Sequence, residues 1–77
     1  MINSVSPLAA LNHIEDGGEV LVSFPGCLSS IFRLSSPRGA GIERGNSEIG
    51  FCPGMLPGEA LQHFRNMVDG GGSLALL

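Results

Sequence analysis

The sequence predicts a single small α+β domain, with two helices packed on one face of a mostly antiparallel sheet of about four to five strands. Three observations indicate this class: the chain has 77 residues, it is 43% hydrophobic, and it contains 12 glycines and 5 prolines. Such a composition is too apolar for a disordered chain and too rich in turn formers for a helical bundle. The predicted order is α-β-β-β-β-α-β, within one domain over residues 1–77.

The first helix is predicted over residues 7–16. Ser6 is a favourable N-cap, and Gly17 follows the helix as a terminator that tolerates the left-handed conformation. Asn12 and His13 fall away from the apolar stripe, so we expect both to face solvent. The stripe comprises Leu8, Ala10, Leu11 and Ile14.

Two strands are predicted next, over 19–24 and 31–35, because each is a short run of apolar and β-branched residues bounded by turn formers. A turn over 36–40 follows and places Arg38 at its tip. Arginine is enriched among residues that dominate protein interfaces, so Arg38 is a candidate contact, although a turn arginine that only meets solvent is the more common case. The core-facing side of the first strand comprises Val20, Val22 and Phe24.

Residues 40–44 and 47–52 are then predicted to form a hairpin around Gly45-Asn46, because glycine in the first loop position favours a type II′ turn. A loop of this length fixes which residues stand opposite each other across the two strands. The opposed pairs are Ile42 with Ile49, Glu43 with Glu48, and Arg44 with Ser47.

The predicted Glu43 and Glu48 pair is unusual, because like charges directly opposite each other destabilise a hairpin. Two close carboxylates can act as an acid and base pair or bind a divalent cation. They can also form an acidic spot, beside Arg44, that docks an arginine of a partner, or the predicted register can be wrong. Of the functional interpretations we favour partner docking.

The second helix is predicted over 57–69, with Glu59 in its first turn and three glycines, 70–72, after its end. Gln62 and His63 are expected to face solvent. The final strand, 73–77, is apolar to its last residue and is therefore expected to be buried in the sheet. The apolar stripe of this helix comprises Ala60, Leu61, Phe64, Met67 and Val68.

The phrase ALNH at 10–13 recurs as ALQH at 60–63. One interpretation is a histidine site that is written twice. The other is that the fourth position of the phrase faces water in both helices, which we favour. The exposed pairs, Asn12 with His13 and Gln62 with His63, then become candidate contacts for a partner.

Metal binding and cysteine catalysis are both disfavoured by spacing. Local zinc motifs pair their ligands two to five residues apart, whereas no two of His13, Cys27, Cys52 and His63 are closer than 11 residues. No basic residue lies within four positions of either cysteine to activate a thiolate. We therefore expect no metal, no cofactor and no enzymatic activity, and free, buried or half-buried thiols. The three glycines follow a helix, while a phosphate-binding loop precedes one.

The charge balance bears on the partner. All four basic residues are arginines, and seven acidic residues bring the net charge to -3 at pH 7. Direct binding to nucleic acid depends on many basic groups and is disfavoured. A protein partner, particularly a basic or nucleic-acid-binding one, fits better. The N-terminal stretch has no positive region and no long apolar segment, so we expect no signal sequence, no membrane contact and a cytoplasmic location.

These observations predict a small non-catalytic protein-binding domain, an inhibitor or adaptor that acts on a larger protein or nucleoprotein machine. In size, charge and lack of motifs the chain resembles the small inhibitors encoded by phages and mobile elements, anti-CRISPR proteins among them. One alternative is a homodimer that pairs through the edge of the final strand. A small cysteine-dependent enzyme or metal-binding protein is a further alternative. The candidate contact residues are Asn12, His13, Arg38, Glu43, Arg44, Glu48, Gln62 and His63.

Overall fold

A computed structural model describes residues 4–35, 41–46 and 48–77. Within these ranges the order of elements is the predicted one, and the α+β class is confirmed. The turn predicted over 36–40 and the predicted partner of Arg44, Ser47, lie outside the described residues. The elements are α1 Pro7–Glu15, β1 Val20–Ser23, β2 Ser30–Leu34, β3 Ile42–Asn46, β4 Gly50–Met55, α2 Pro57–Asp69 and β5 Ser73–Leu76.

The five strands form one sheet in the order β4-β3-β2-β1-β5, and every neighbouring pair is antiparallel. The final strand therefore lies at an edge, beside β1, and the expectation that it is buried within the sheet is wrong. Its Leu74 is buried, but Leu76 is exposed. The N-terminal segment covers part of this edge, because the Val5 amide donates to the Leu74 carbonyl oxygen at 3.0 Å.

The core lies between the two helices and one face of the sheet. Phe32 of β2 and Phe64 of α2 meet edge to face, with ring centroids 5.0 Å apart, an arrangement that aromatic pairs prefer. Each large apolar side chain buried here stabilises the fold by about 1.5–3 kcal/mol. The buried apolar residues of the described ranges belong to this layer: Ala10, Leu11, Ile14, Val20, Val22, Phe32, Ile42, Ala60, Phe64 and Leu74.

The helix ends are capped largely as predicted. The Ser6 hydroxyl accepts a hydrogen bond from the Ala9 amide at 3.2 Å, which satisfies one of the free donors of the first turn of α1. At the start of α2 the Glu59 carboxylate accepts from the Leu56 amide at 3.1 Å. Gly17 and Gly71, after the two helices, both have a φ of 97°, which glycine adopts without strain.

Two residues of the predicted apolar stripes are exposed. Leu8 is 54% exposed because, at about 100° per residue, it lies roughly 110° from the centre of the buried stripe of α1. Val68 is 38% exposed and belongs to the last turn of α2, next to its end at Asp69. The remaining stripe residues are buried or half-buried against the core.

The predicted register of the β3–β4 hairpin is wrong. Asn46 is opposite Gly50, so three residues connect the strands instead of two. The Asn46 side-chain oxygen accepts from the amides of Glu48 at 2.9 Å and Ile49 at 2.8 Å, and asparagine commonly builds turns in this way. Gly50 then takes a φ of 80°, which favours glycine. Ile49 consequently lies in the turn, 74% exposed, and not in the core.

The register of the hairpin shifts once more near the end away from the turn. Ile42 is opposite Met55 and Glu43 is opposite Pro53, so Gly54 is the extra residue of a β-bulge. A Cβ atom at Gly54 would collide with the backbone oxygen of Ile42. Because β4 is an edge strand, this bulge and the missing amide hydrogen of Pro53 also hinder pairing with another chain.

Candidate protein interaction site

The structure separates the two carboxylates that were predicted to face each other. Glu43 lies on β3 opposite Pro53, whereas Glu48 is exposed in the turn that follows β3. Glu43 instead forms an ion pair with Arg33 of β2, whose Nε donates to Oε2 at 3.1 Å. An acid and base pair or a two-carboxylate cation site is thus not formed by these residues. Arg38 lies outside the described residues.

The ion pair belongs to the sheet face that carries no helix. Arg33 also lies over the Phe51 ring, with the guanidinium carbon 3.7 Å from the ring centroid, a cation–π contact. A row of half-buried apolar residues crosses this face next to the pair, and Arg33 covers its member Phe51. The row comprises Leu21, Ile31, Phe51 and Ala75.

His13 was predicted to face solvent, but its side chain is half-buried. Its Nε2 lies 2.8 Å from the Leu77 backbone oxygen, and its ring lies against Gly18, where a Cβ atom would collide with it. Asn12 is exposed, as expected. His13 therefore links the end of α1 to the residue that follows β5.

His63 also contradicts the prediction, since its ring packs 5.8 Å from that of Phe32. Its Nε2 is buried and has no hydrogen-bond partner among the described residues. Burial, and secondarily the positive charge of Arg44, hold the pKa of His63 below its usual value of 6.5. Gln62 is exposed, as expected, and donates to the Asn66 side-chain oxygen at 3.0 Å.

The two copies of the repeated phrase therefore do not build one polar surface from their histidines. His13 contacts the chain after β5, while His63 contacts β2 in the core layer. The helical wheel contains the signal for this difference. In α2, Gln62 lies about 180° from the centre between Ala60 and Phe64, but His63 lies only about 80° from it, at the border of the buried stripe.

The two helices do not cover the β3–β4 hairpin, and a groove lies on its helix-facing side. They pack mainly over β5, β1 and β2. Arg44 is opposite Phe32 and Cys52 is opposite Arg44, so both side chains face the helix side of the sheet beyond the helices. A cavity of about 330 Å³ lies there, and we call it the hairpin groove. Residues that line it include Ser30, Arg44, Asn46, Ile49, Cys52 and Met55.

Two exposed apolar side chains stand at one end of the sheet. Because adjacent antiparallel strands alternate in direction, the β1–β2 and β3–β4 connections lie at the same end, which we call the loop end. Leu28, in the first connection, is 75% exposed, and Ile49, in the second, is 74% exposed. Ile49 also lines the hairpin groove. Neither residue was predicted at an interaction site from the sequence, because Ile49 was expected in the core and Leu28 had no assigned role.

Both cysteines are free, and both are exposed, so the expectation of buried or half-buried thiols is wrong for each. Cys27 lies in the β1–β2 connection at the loop end, and Cys52 lines the hairpin groove. Within residues 4–35, 41–46 and 48–77, no three side chains of metal-binding type come together. In the same part of the chain neither helix has the length and apolar character needed to span a membrane.

Comparisons with known proteins returned no match: no family model, no curated protein and no solved structure is significantly similar to this chain.

Proposed function

We propose that this chain is a small non-catalytic protein-binding domain whose loop end contacts its partner. The observation that supports this most directly is the pair Leu28 and Ile49, each about three-quarters exposed, on two connections at the same end of the sheet, with Ile49 lining the hairpin groove. Exposed apolar groups beside a concave, partly polar surface are typical of interaction sites. The domain acts by occupying a surface of a larger protein, as an inhibitor or an adaptor in the cytoplasm.

The negative charge of the domain is consistent with a partner that carries basic groups outside the surface that contacts the loop end. Four acidic residues belong to the end of the fold opposite the loop end, where α1 ends and α2 begins. They give this end a negative potential, so a part of the partner that reaches this end would be basic. These residues are Glu15, Asp16, Glu19 and Glu59.

A homodimer through β5 has less support. The Leu74 carbonyl, which points away from β1, already accepts a hydrogen bond from Val5. A second copy that paired along β5 would have to displace the Val5 segment from this edge. The other edge of the sheet is interrupted by the bulge at Gly54.

The proposal is tested by comparing two matched surface changes. The chain would be immobilised, the partner captured from source cells, and the affinity measured for Ile49→Ser and for Leu56→Ser. Leu56 is 59% exposed but follows β4 at the opposite end of the sheet. We expect Ile49→Ser to weaken binding at least tenfold, as hot-spot residues do, and Leu56→Ser to leave it within twofold. Equal losses would contradict the proposal.

A further inference from the structure

We infer that the hairpin groove receives an acidic side chain of the partner, an aspartate or a glutamate, and that Arg44 binds its carboxylate. This inference rests on the proposed function, and it adds the chemistry of the partner residue. Three features of the groove support it in the described part of the chain: an arginine without an ion pair, a lining without acidic groups, and two large apolar lining residues.

The Arg44 side chain is available for a carboxylate. It is exposed, and in the described part of the chain the Arg33 and Glu43 pair is the single ion pair, so Arg44 has no acidic partner there. Glu43 precedes Arg44 on β3, and neighbouring residues of a strand point to opposite sides of the sheet. Glu43 therefore lies with Arg33 on the other face and does not pair with Arg44. The guanidinium of Arg44 lies 5.9 Å from the Phe32 ring centroid, which backs it with an apolar surface.

The lining of the groove favours one carboxylate and not a polyanion. Among the described residues, no acidic residue lines the cavity, and Arg44 is the basic residue that does. A planar guanidinium binds a carboxylate through two parallel hydrogen bonds. A nucleic acid would need several such charges to offset the net charge of -3. At contact distance, by contrast, a single ion pair lies well within the Debye length of about 8–10 Å, so salt weakens it without abolishing it.

The rim specifies the neighbours of that carboxylate. Met55 and Ile49 both line the groove, and Leu28 lies at the same end of the sheet as Ile49. A cavity of about 330 Å³ exceeds what one carboxylate needs, and it is at the lower limit of ligand pockets. The partner segment therefore presents an acidic side chain next to apolar ones.

Cys52 provides a direct probe of the groove, because it lies opposite Arg44 and is exposed. In a Cys27→Ser background, the rates of Cys52 alkylation by iodoacetate and by iodoacetamide would be compared. The two reagents differ in charge, so the ratio of their rates cancels changes in thiol reactivity. We expect Arg44→Gln to lower the iodoacetate to iodoacetamide ratio about fivefold. Arg65→Gln, an exposed helix residue, should leave the ratio unchanged. An unchanged ratio in Arg44→Gln would overturn the inference.

Partner capture separates this inference from the proposed function. We expect Arg44→Gln to weaken capture at least tenfold, Arg44→Lys to weaken it less, and Arg65→Gln to have no effect. If Ile49→Ser abolishes capture while Arg44→Gln does not weaken it, the inference that Arg44 binds an acidic residue of the partner is overturned, and the proposed contact at the loop end is retained. If neither change weakens capture, both the inference and the proposed function are overturned.

Discussion

Arg33 and Glu43 form an ion pair across β2 and β3, with Nε 3.1 Å from Oε2, on the face of the sheet that carries no helix. The two residues are directly opposite each other in the sheet. Their side chains are 43% and 18% exposed, so water screens the attraction in part. Arg33 also packs on Phe51, which fixes the guanidinium in place.

We predict that Glu43→Gln lowers the free energy of unfolding by about 0.5–1 kcal/mol, the upper part of the range for partly exposed pairs. Glu48→Gln, in the exposed turn, should change it by less than about 0.5 kcal/mol. Urea unfolding of both variants measures the difference. If Glu48→Gln costs as much as Glu43→Gln, the carboxylates are not in the places described.

The bounds of the second helix show what the sequence determines. The helix was predicted over 57–69 and is observed over Pro57–Asp69. Proline at the first helical position and three glycines after the last define both ends through backbone chemistry alone. Such local signals do not depend on the rest of the fold, so one sequence is sufficient to interpret them.

The hairpin shows what the sequence leaves open. Glycines at 45 and 50 both permit a turn, and the pattern favours the two-residue loop at Gly45-Asn46. The fold uses the longer one, because the Asn46 side chain takes over hydrogen bonds that a tight turn would make through the backbone. With this longer loop Ile49 lies on the surface and not in the predicted core, and it is central to the candidate interaction site.

We predict opposite effects from adding a methyl group at two glycines. Gly54→Ala would place a Cβ atom against the backbone of Ile42, which cannot move aside, and should cost about 1–3 kcal/mol. Gly58→Ala has open space and helical backbone geometry, and should stabilise the fold by about 0.4–1 kcal/mol. Thermal and urea unfolding would show both signs. A neutral Gly54→Ala would contradict the bulge at this position.

A third prediction concerns the pH dependence of stability through His63. Its pKa is lowered on folding, mainly by burial and then by Arg44. The folded state therefore binds fewer protons than the unfolded state, and its contribution is complete above about pH 6.5. It is lost as the pH falls below that value toward the lower pKa of the folded state.

His63→Phe should remove this pH dependence of stability, because phenylalanine does not titrate. Its ring can keep the contact with Phe32, and it has no buried nitrogen that lacks a hydrogen bond. Urea unfolding at pH 7.5, 6.5 and 5.5 measures the effect. We expect the stability of His63→Phe relative to the unmodified chain to increase at each step down in pH. A difference that is constant over this range would show that His63 titrates normally in the folded protein.

We propose that the loop end is the surface that contacts a partner, and photocrosslinking tests this. The photoreactive residue p-benzoylphenylalanine would be placed at Ile49 in one variant and at Leu56 in another, and each variant would be irradiated with the captured partner. We expect a covalent adduct with the partner from position 49 and none from position 56. An adduct from position 56 with none from position 49 would contradict it.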